Sequence, residues 1–172
     1  MPTAPTPSGR LSESGAVVFS RRLPRSRAEA WAAVTDPTRT ARWIGPWSGD
    51  PASGTVQLTM TAEEGDPVDG VEVVTCDAPG FLVVRTGPGG WLLTVRIEGD
   101  DDEGSGKGSN EAVISLEQDI ADAESAASIG PGWDYYLDRL VEAEAGRDPD
   151  ALRFEPDYYP GLAEYYRNLV GG

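Results

Sequence analysis

GPGWDYYLDRLVEAEAG, residues 130–146, decides how the rest of the chain is read. Pro131 suits the first turn of a helix, where a missing N–H costs little. From there Trp133, Tyr136, Leu137, Leu140, Val141 and Glu144 recur at the i, i+3, i+4, i+7 spacing that lines one side of a helix. Asp134, Asp138, Arg139 and Glu142 fall on the other side, which reads as a wet face. Gly146 is placed to cap the C-terminus. The expectation is one amphipathic helix over residues 131–145, about 22 Å long. The Gly-Pro-Gly break starts it, and aromatics crowd its first turns.

Upstream the period changes to two. GTVQLTMTAE alternates Val56, Leu58 and Met60 against Thr55, Gln57, Thr59 and Thr61. GVEVVTC, FLVVRT, WLLTVRIE and EAVISLEQ follow as strands, joined by turn-rich links such as EEGDP, DAPG and GPGG. Short links of this kind predict an antiparallel meander. Residues 99–110 form the longest link. Its DDDE lacks the ligand spacing of a calcium loop and reads as a solvated hairpin tip. Cys76, inside the alternating VEVVTCD, reads as a buried or half-buried small residue.

Before the meander, GAVVFSRRL predicts a first strand over residues 15–23. A helix follows, with Ser26 as N-cap and Glu29 at the capping-box position. Asp36 and Pro37 end it and open a second, short helix. Residues 1–14 are rich in Pro, Ser and Thr and read as a mobile tail. ADAESAAS, ahead of Gly130, predicts a turn or two of separate helix. Residues 147–172 are proline-punctuated, then helical, with Leu162, Tyr165, Tyr166 and Leu169 on one face. They read as an extension that packs back on the domain, or alternatively as a partner-binding or dimerising element.

The order is strand, two helices, meander, long helix. It predicts an α+β domain over residues 15–146: a curved antiparallel sheet of six or so strands wrapped around the long helix. Where sheet and helix diverge, a small-molecule cavity is expected.

Composition excludes several classes of function. Net charge is −15, from 29 acidic and 14 basic residues, which disfavours nucleic acid and anionic membranes. No histidine is present, so Ser-His-Asp triads and most zinc sites are ruled out. A single cysteine permits no internal disulfide and fits a reducing cytoplasm. The first residues lack the basic and apolar regions of a signal peptide, and no apolar run approaches membrane-spanning length. No metal or other cofactor is expected.

Residues 21–46, RRLPRSRAEAWAAVTDPTRTARWIGP, resemble the opening of the SRPBCC superfamily, the START-like or helix-grip proteins. They are most similar to its subgroup named after the activator of the heat-shock-protein-90 ATPase homologue. Arg22, Pro24, Trp31, Thr35, Asp36, Pro37, Trp43 and Gly45 match that pattern. Gly132, Trp133, Leu137 and Leu140 match its closing Gly-Trp-x-x-x-Leu-x-x-Leu signature. One departure is plain: where members often carry a histidine near the end of the last strand, this chain has Gln118 or a neighbour.

The resemblance implies a helix-grip fold with a hydrophobic cavity between sheet and helix. Its candidate lining is Trp43, Trp47, Met60, Trp91, Leu93, Trp133, Tyr136 and Leu140. The function expected first is binding of a small hydrophobic ligand. One alternative is a polyketide cyclase-like enzyme, for which Glu72, Asp119, Tyr136 and Arg96 are the acid–base candidates, none of them within a catalytic motif. The other is a cochaperone or protein-interaction module with a chaperone partner.

Overall fold

The computed structural model describes residues 4–87, 90–99 and 111–172. After a two-residue strand, β1 (Arg10–Leu11), come β2 (Val17–Leu23), α1 (Arg27–Thr35) and α2 (Pro37–Thr40). The meander is β3 (Trp47–Ser48), β4 (Thr55–Thr59), β5 (Val68–Asp77), β6 (Phe81–Thr86), β7 (Trp91–Gly99) and β8 (Ala112–Gln118). Helix α3 (Ala123–Glu144) follows, and α4 (Ala163–Gly171) ends the described fold. The strands form one antiparallel sheet in the order β1-β2-β8-β7-β6-β5-β4-β3. This is the expected α+β architecture, a curved sheet holding a long helix. The hairpin tip expected at residues 99–110 lies, beyond Gly99, outside the described residues.

The local chemistry explains the helix starts. Ser26 Oγ accepts from Glu29 N–H at 3.2 Å and caps α1. Asp36 caps α2, accepting from Thr38 N–H at 2.9 Å and from its hydroxyl at 2.7 Å. Those bonds, the side-chain one foremost, hold the Asp36 carboxyl below its ordinary range. Arg25, Arg39 and Arg42 converge on the C-terminal end of α3. Arg25 donates to the Glu144 carbonyl at 2.6 Å, and Arg39 pairs with the buried Glu144 carboxylate. Cations at that end complement the helix dipole.

Helix α3 corrects the reading of the Gly-Pro-Gly break. It is a single helix of 22 residues with Pro131 in its interior, so ADAESAAS is its first part and Trp133 lies midway along it. Proline inside a helix removes one backbone hydrogen bond, here to the Ala127 carbonyl. The clash of proline with the β-carbon of the preceding residue is absent because that residue is Gly130. Gly130 has a second reason to lack a side chain: a β-carbon there would overlap the ring of Tyr166. The helix ends as expected, with Gly146 just beyond it at φ 75°.

The solvated outer face is also corrected. Asp134 is 0% exposed and Arg139 is 5% exposed. The chain ends cover that face. Tyr166 of α4 is fully buried and donates its hydroxyl to Asp134. Ser8 donates to Asp134 through Oγ at 2.7 Å, and Gly9 N–H donates to Tyr166 at 3.0 Å. Residues 8–11 are therefore docked, Arg10 and Leu11 in strand β1, where the sequence suggested a mobile tail over 1–14. From β2, Arg21 bonds Asp134 at 2.9 Å and Asp138 at 2.8 Å, and Tyr158 donates to Asp138 at 2.7 Å. Burial pulls the Arg21 guanidinium down, but the two carboxylates outweigh it and raise it above its ordinary value. Burial, then the facing Asp134, pushes the Tyr166 phenol far up, so it remains a donor. Arg139 donates to the Trp43 carbonyl at 2.8 Å and to the Pro149 carbonyl at 3.0 Å, which ties the 147–172 segment to the domain.

Candidate functional site

The sheet packs tightly on α3 along β2, where Val17, Phe19 and, from the helix, Leu140 are buried. Along β4–β7 it draws away, leaving a cavity of about 940 Å³. The inward set on each strand follows the pleat. Val56 and Leu58 face in from β4, Leu82 and Val84 from β6, Leu93 and Val95 from β7, and Ile114 and Leu116 from β8. Trp31, Val34, Trp43, Ile44 and Trp47 close the side formed by α1 and α2, and Trp133 and Leu137 of α3 supply the helix wall. The mouth lies where Pro51, Ala52, Glu63 and Trp91 are exposed.

Strand β5 changes its inward parity partway. Asp69, Val71 and Val73 face the cavity, and then Cys76 and Ala78 do. The register shifts between Val73 and Thr75, a β-bulge that leaves Val74 unpaired. This corrects the reading of Cys76: the bulge turns it to the cavity side, but at the rim, where it is exposed.

The tryptophans are fixed by their N–H groups. Trp43 donates to the Ala33 carbonyl at 2.9 Å and Trp47 to the Thr35 carbonyl at 2.9 Å, fastening the loop after α2 onto α1. Trp133 donates to Gln118 Oε1 at 2.7 Å. Gln118, itself buried, thus orients an aromatic wall residue. Its amide has no useful acid–base chemistry.

Of the eight residues expected to line the cavity, Trp43, Trp47, Met60, Trp91, Leu93 and Trp133 do so. Two do not. Leu140 is fully buried in the packed part of the core, one turn past the end of the cavity wall at Leu137. Tyr136 packs against Trp133, and its hydroxyl donates to Glu63 Oε1 at 3.0 Å. Burial, then the Glu63 charge, raises its pKa and keeps it protonated.

The other acid–base candidates are not in the cavity. Glu72 pairs with Arg85 at 3.1 Å and Arg96 with Glu117 at 3.2 Å, while Asp119 is exposed. Sequence reasoning missed Val71, Leu82, Val84, Val95, Glu63 and Asp69. Alternation gives no answer in FLVVRT, where four successive residues are apolar. Asp69 could have been found by pairing it opposite Leu58 across the β4–β5 hairpin.

No protein-family model matches this sequence, and no curated protein matches it. Solved structures do. CalU16 from Micromonospora echinospora matches over 100% of both chains, with 21% identity and a TM-score of 0.66. DynU16, a protein in the dynemicin biosynthetic locus, matches over 78% of this chain at 23% identity and a TM-score of 0.61; the match spans 49% of DynU16. A conserved protein of unknown function from Enterococcus faecalis matches over 96% of this chain at 13% identity and a TM-score of 0.64. The chain has a helix-grip fold. The match to CalU16 takes in the 147–172 segment as well as the sheet and α3. Among the described residues no helix is long and apolar enough to cross a membrane, and no group of three or more His, Cys, Asp or Glu is placed to hold a metal.

Proposed function

We propose that this protein binds a small hydrophobic ligand in the cavity between α3 and the inner face of β4–β8. The observation that carries this reading is a cavity of about 940 Å³ whose walls are mostly aliphatic and aromatic. Ligand sites typically span about 300–1,000 Å³ and are lined in this way. A ligand that buried about 200 Å² of apolar surface there would gain roughly 5 kcal/mol before the costs of association. The resemblance of residues 21–46 and 130–140 to SRPBCC proteins supports the same reading. So does the likeness to DynU16, whose setting in a biosynthetic locus suits a small natural product as cargo. Binding is favoured over turnover because Glu72 and Arg96 are held in surface ion pairs with Arg85 and Glu117, Asp119 is exposed outside the cavity, and the Tyr136 hydroxyl is engaged by Glu63.

The test is thermal denaturation with a panel of apolar and aromatic small molecules, alongside native mass spectrometry of the purified protein. At a hundredfold excess over Kd, a ligand stabilises by about 2.7 kcal/mol. In a chain of this size that raises Tm by roughly 5–10 °C. Val84→Trp, which fills the cavity from β6, is expected to abolish the shift while the protein stays folded. No shift across the panel and no retained molecule would overturn the proposal.

A further inference from the structure

The charges on the cavity wall narrow the ligand class further, on the strength of the binding reading above. Among the described residues, the charged side chains lining the cavity are Glu63 and Asp69, both carboxylates, and no arginine or lysine joins them. They lie on the β4–β5 hairpin, one at the mouth and one half-buried beside it. The Glu63 carboxylate is held toward α3 by the Tyr136 hydroxyl. All five tryptophans of the chain border the cavity, Trp31, Trp43 and Trp47 on the α1–α2 side, Trp133 on the helix wall and Trp91 at the mouth. Three of them spend their N–H donors on the protein: on Ala33, Thr35 and Gln118. The Thr35 and Thr40 hydroxyls likewise donate to carbonyls of their own helices.

An anionic headgroup needs donors to replace the water it loses. Here it would meet two carboxylates and no cationic side chain, with three of the five indole donors already engaged. A cation meets the opposite: two negative charges, and indole rings whose faces attract positive charge. We propose that the cavity takes a hydrophobic molecule bearing a cationic amine or quaternary ammonium group, with the cation held by the β4–β5 carboxylates and the indole rings that border the cavity. Fatty acids and other amphiphilic carboxylates are discriminated against at the same site.

The experiment compares four probes of one chain length: dodecyltrimethylammonium, dodecylamine, dodecanol and dodecanoate. Each is kept below its micellar concentration at low salt and neutral pH, with binding read by calorimetry. The ammonium and amine are expected to bind at least about 10-fold more tightly than the carboxylate, with the alcohol between, as one partly solvated charge pair suffices for that ratio. The double variant E63Q/D69N should lower the cation-to-carboxylate ratio by about 5-fold or more and leave the alcohol unmoved. The surface variant E155Q/D157N removes the same net charge elsewhere and should leave the ratio intact. Equal or tighter binding of the carboxylate overturns the inference, as does a preference that survives in E63Q/D69N. If the alcohol binds in those cases, the binding function stands and only the cation preference falls. If none of the four binds, both fall.

Discussion

On one side of α3, Asp134 and Asp138 are met by Arg21, Ser8, Tyr158 and Tyr166. On the other side, Trp133 and Leu137 look across a gap to β6 and β7 that none of the described residues fills. One helix therefore carries a charged interior and an apolar void less than half a turn apart. The polar side is dense because its groups demand partners: a buried carboxylate without them costs several kcal/mol. Apolar walls make no such demand and tolerate standing apart. What closes a surface here is directional bonding, and what leaves it open is the absence of any group that requires an answer.

The comparison breaks most severely at Asp134. Asp134→Ala leaves Arg21 half-answered and Tyr166 without its acceptor, so chemical denaturation should show a loss of about 3–5 kcal/mol. The next effect belongs to Gly130. Alanine is the better helix former by about 0.5–1 kcal/mol. Gly130→Ala should nonetheless destabilise by about 1–3 kcal/mol, because its methyl meets the Tyr166 ring. In a Tyr166→Ala background the same change should become stabilising. A double-mutant cycle measures that reversal. The smallest effect sharpens the contrast. Val84→Trp enlarges a side chain that borders the void and should shift stability by less than about 1 kcal/mol, whereas Val17→Trp, on the fully packed side, should cost about 1–3 kcal/mol. Equal costs at the two sites would mean that the cavity is filled in solution.

The sequence made the apolar half of this arrangement legible and concealed the polar half. Periodicity located the strands, and the spacing of Leu137 and Leu140 set the face that α3 presents to the sheet. Four of the cavity's tryptophans were found, because Trp43, Trp47 and Trp91 sit at element ends and Trp133 lies on that face. The opposite face was misread because Asp134 and Arg139 are ordinary surface residues until something covers them. The cover comes from Ser8 and Tyr166, 157 residues or so apart from one another in sequence, and helical periodicity carries no information about such distant partners. A hint was present: two carboxylates on one helix face, and a tail rich in tyrosines able to donate to them. Pro131 was misread for a local reason. Its usual meaning is a helix start, and only the ring of Tyr166 against Gly130 explains why a Gly-Pro pair stands mid-helix.

The bulge at Val74 makes the composition of the cavity mouth a matter of reading frame. Up to Val73 the odd-numbered residues of β5 face inward; beyond it, Cys76 and Ala78 do. Were β5 paired straight through Val74, without the bulge, Thr75 and Asp77 would face inward in place of Cys76 and Ala78. The rim would then receive its chemistry from a different set of side chains, with no codon at the rim itself altered. The pairing register of this one strand is thus a lever on the chemistry of the mouth that leaves the helix and the rest of its grip as they are.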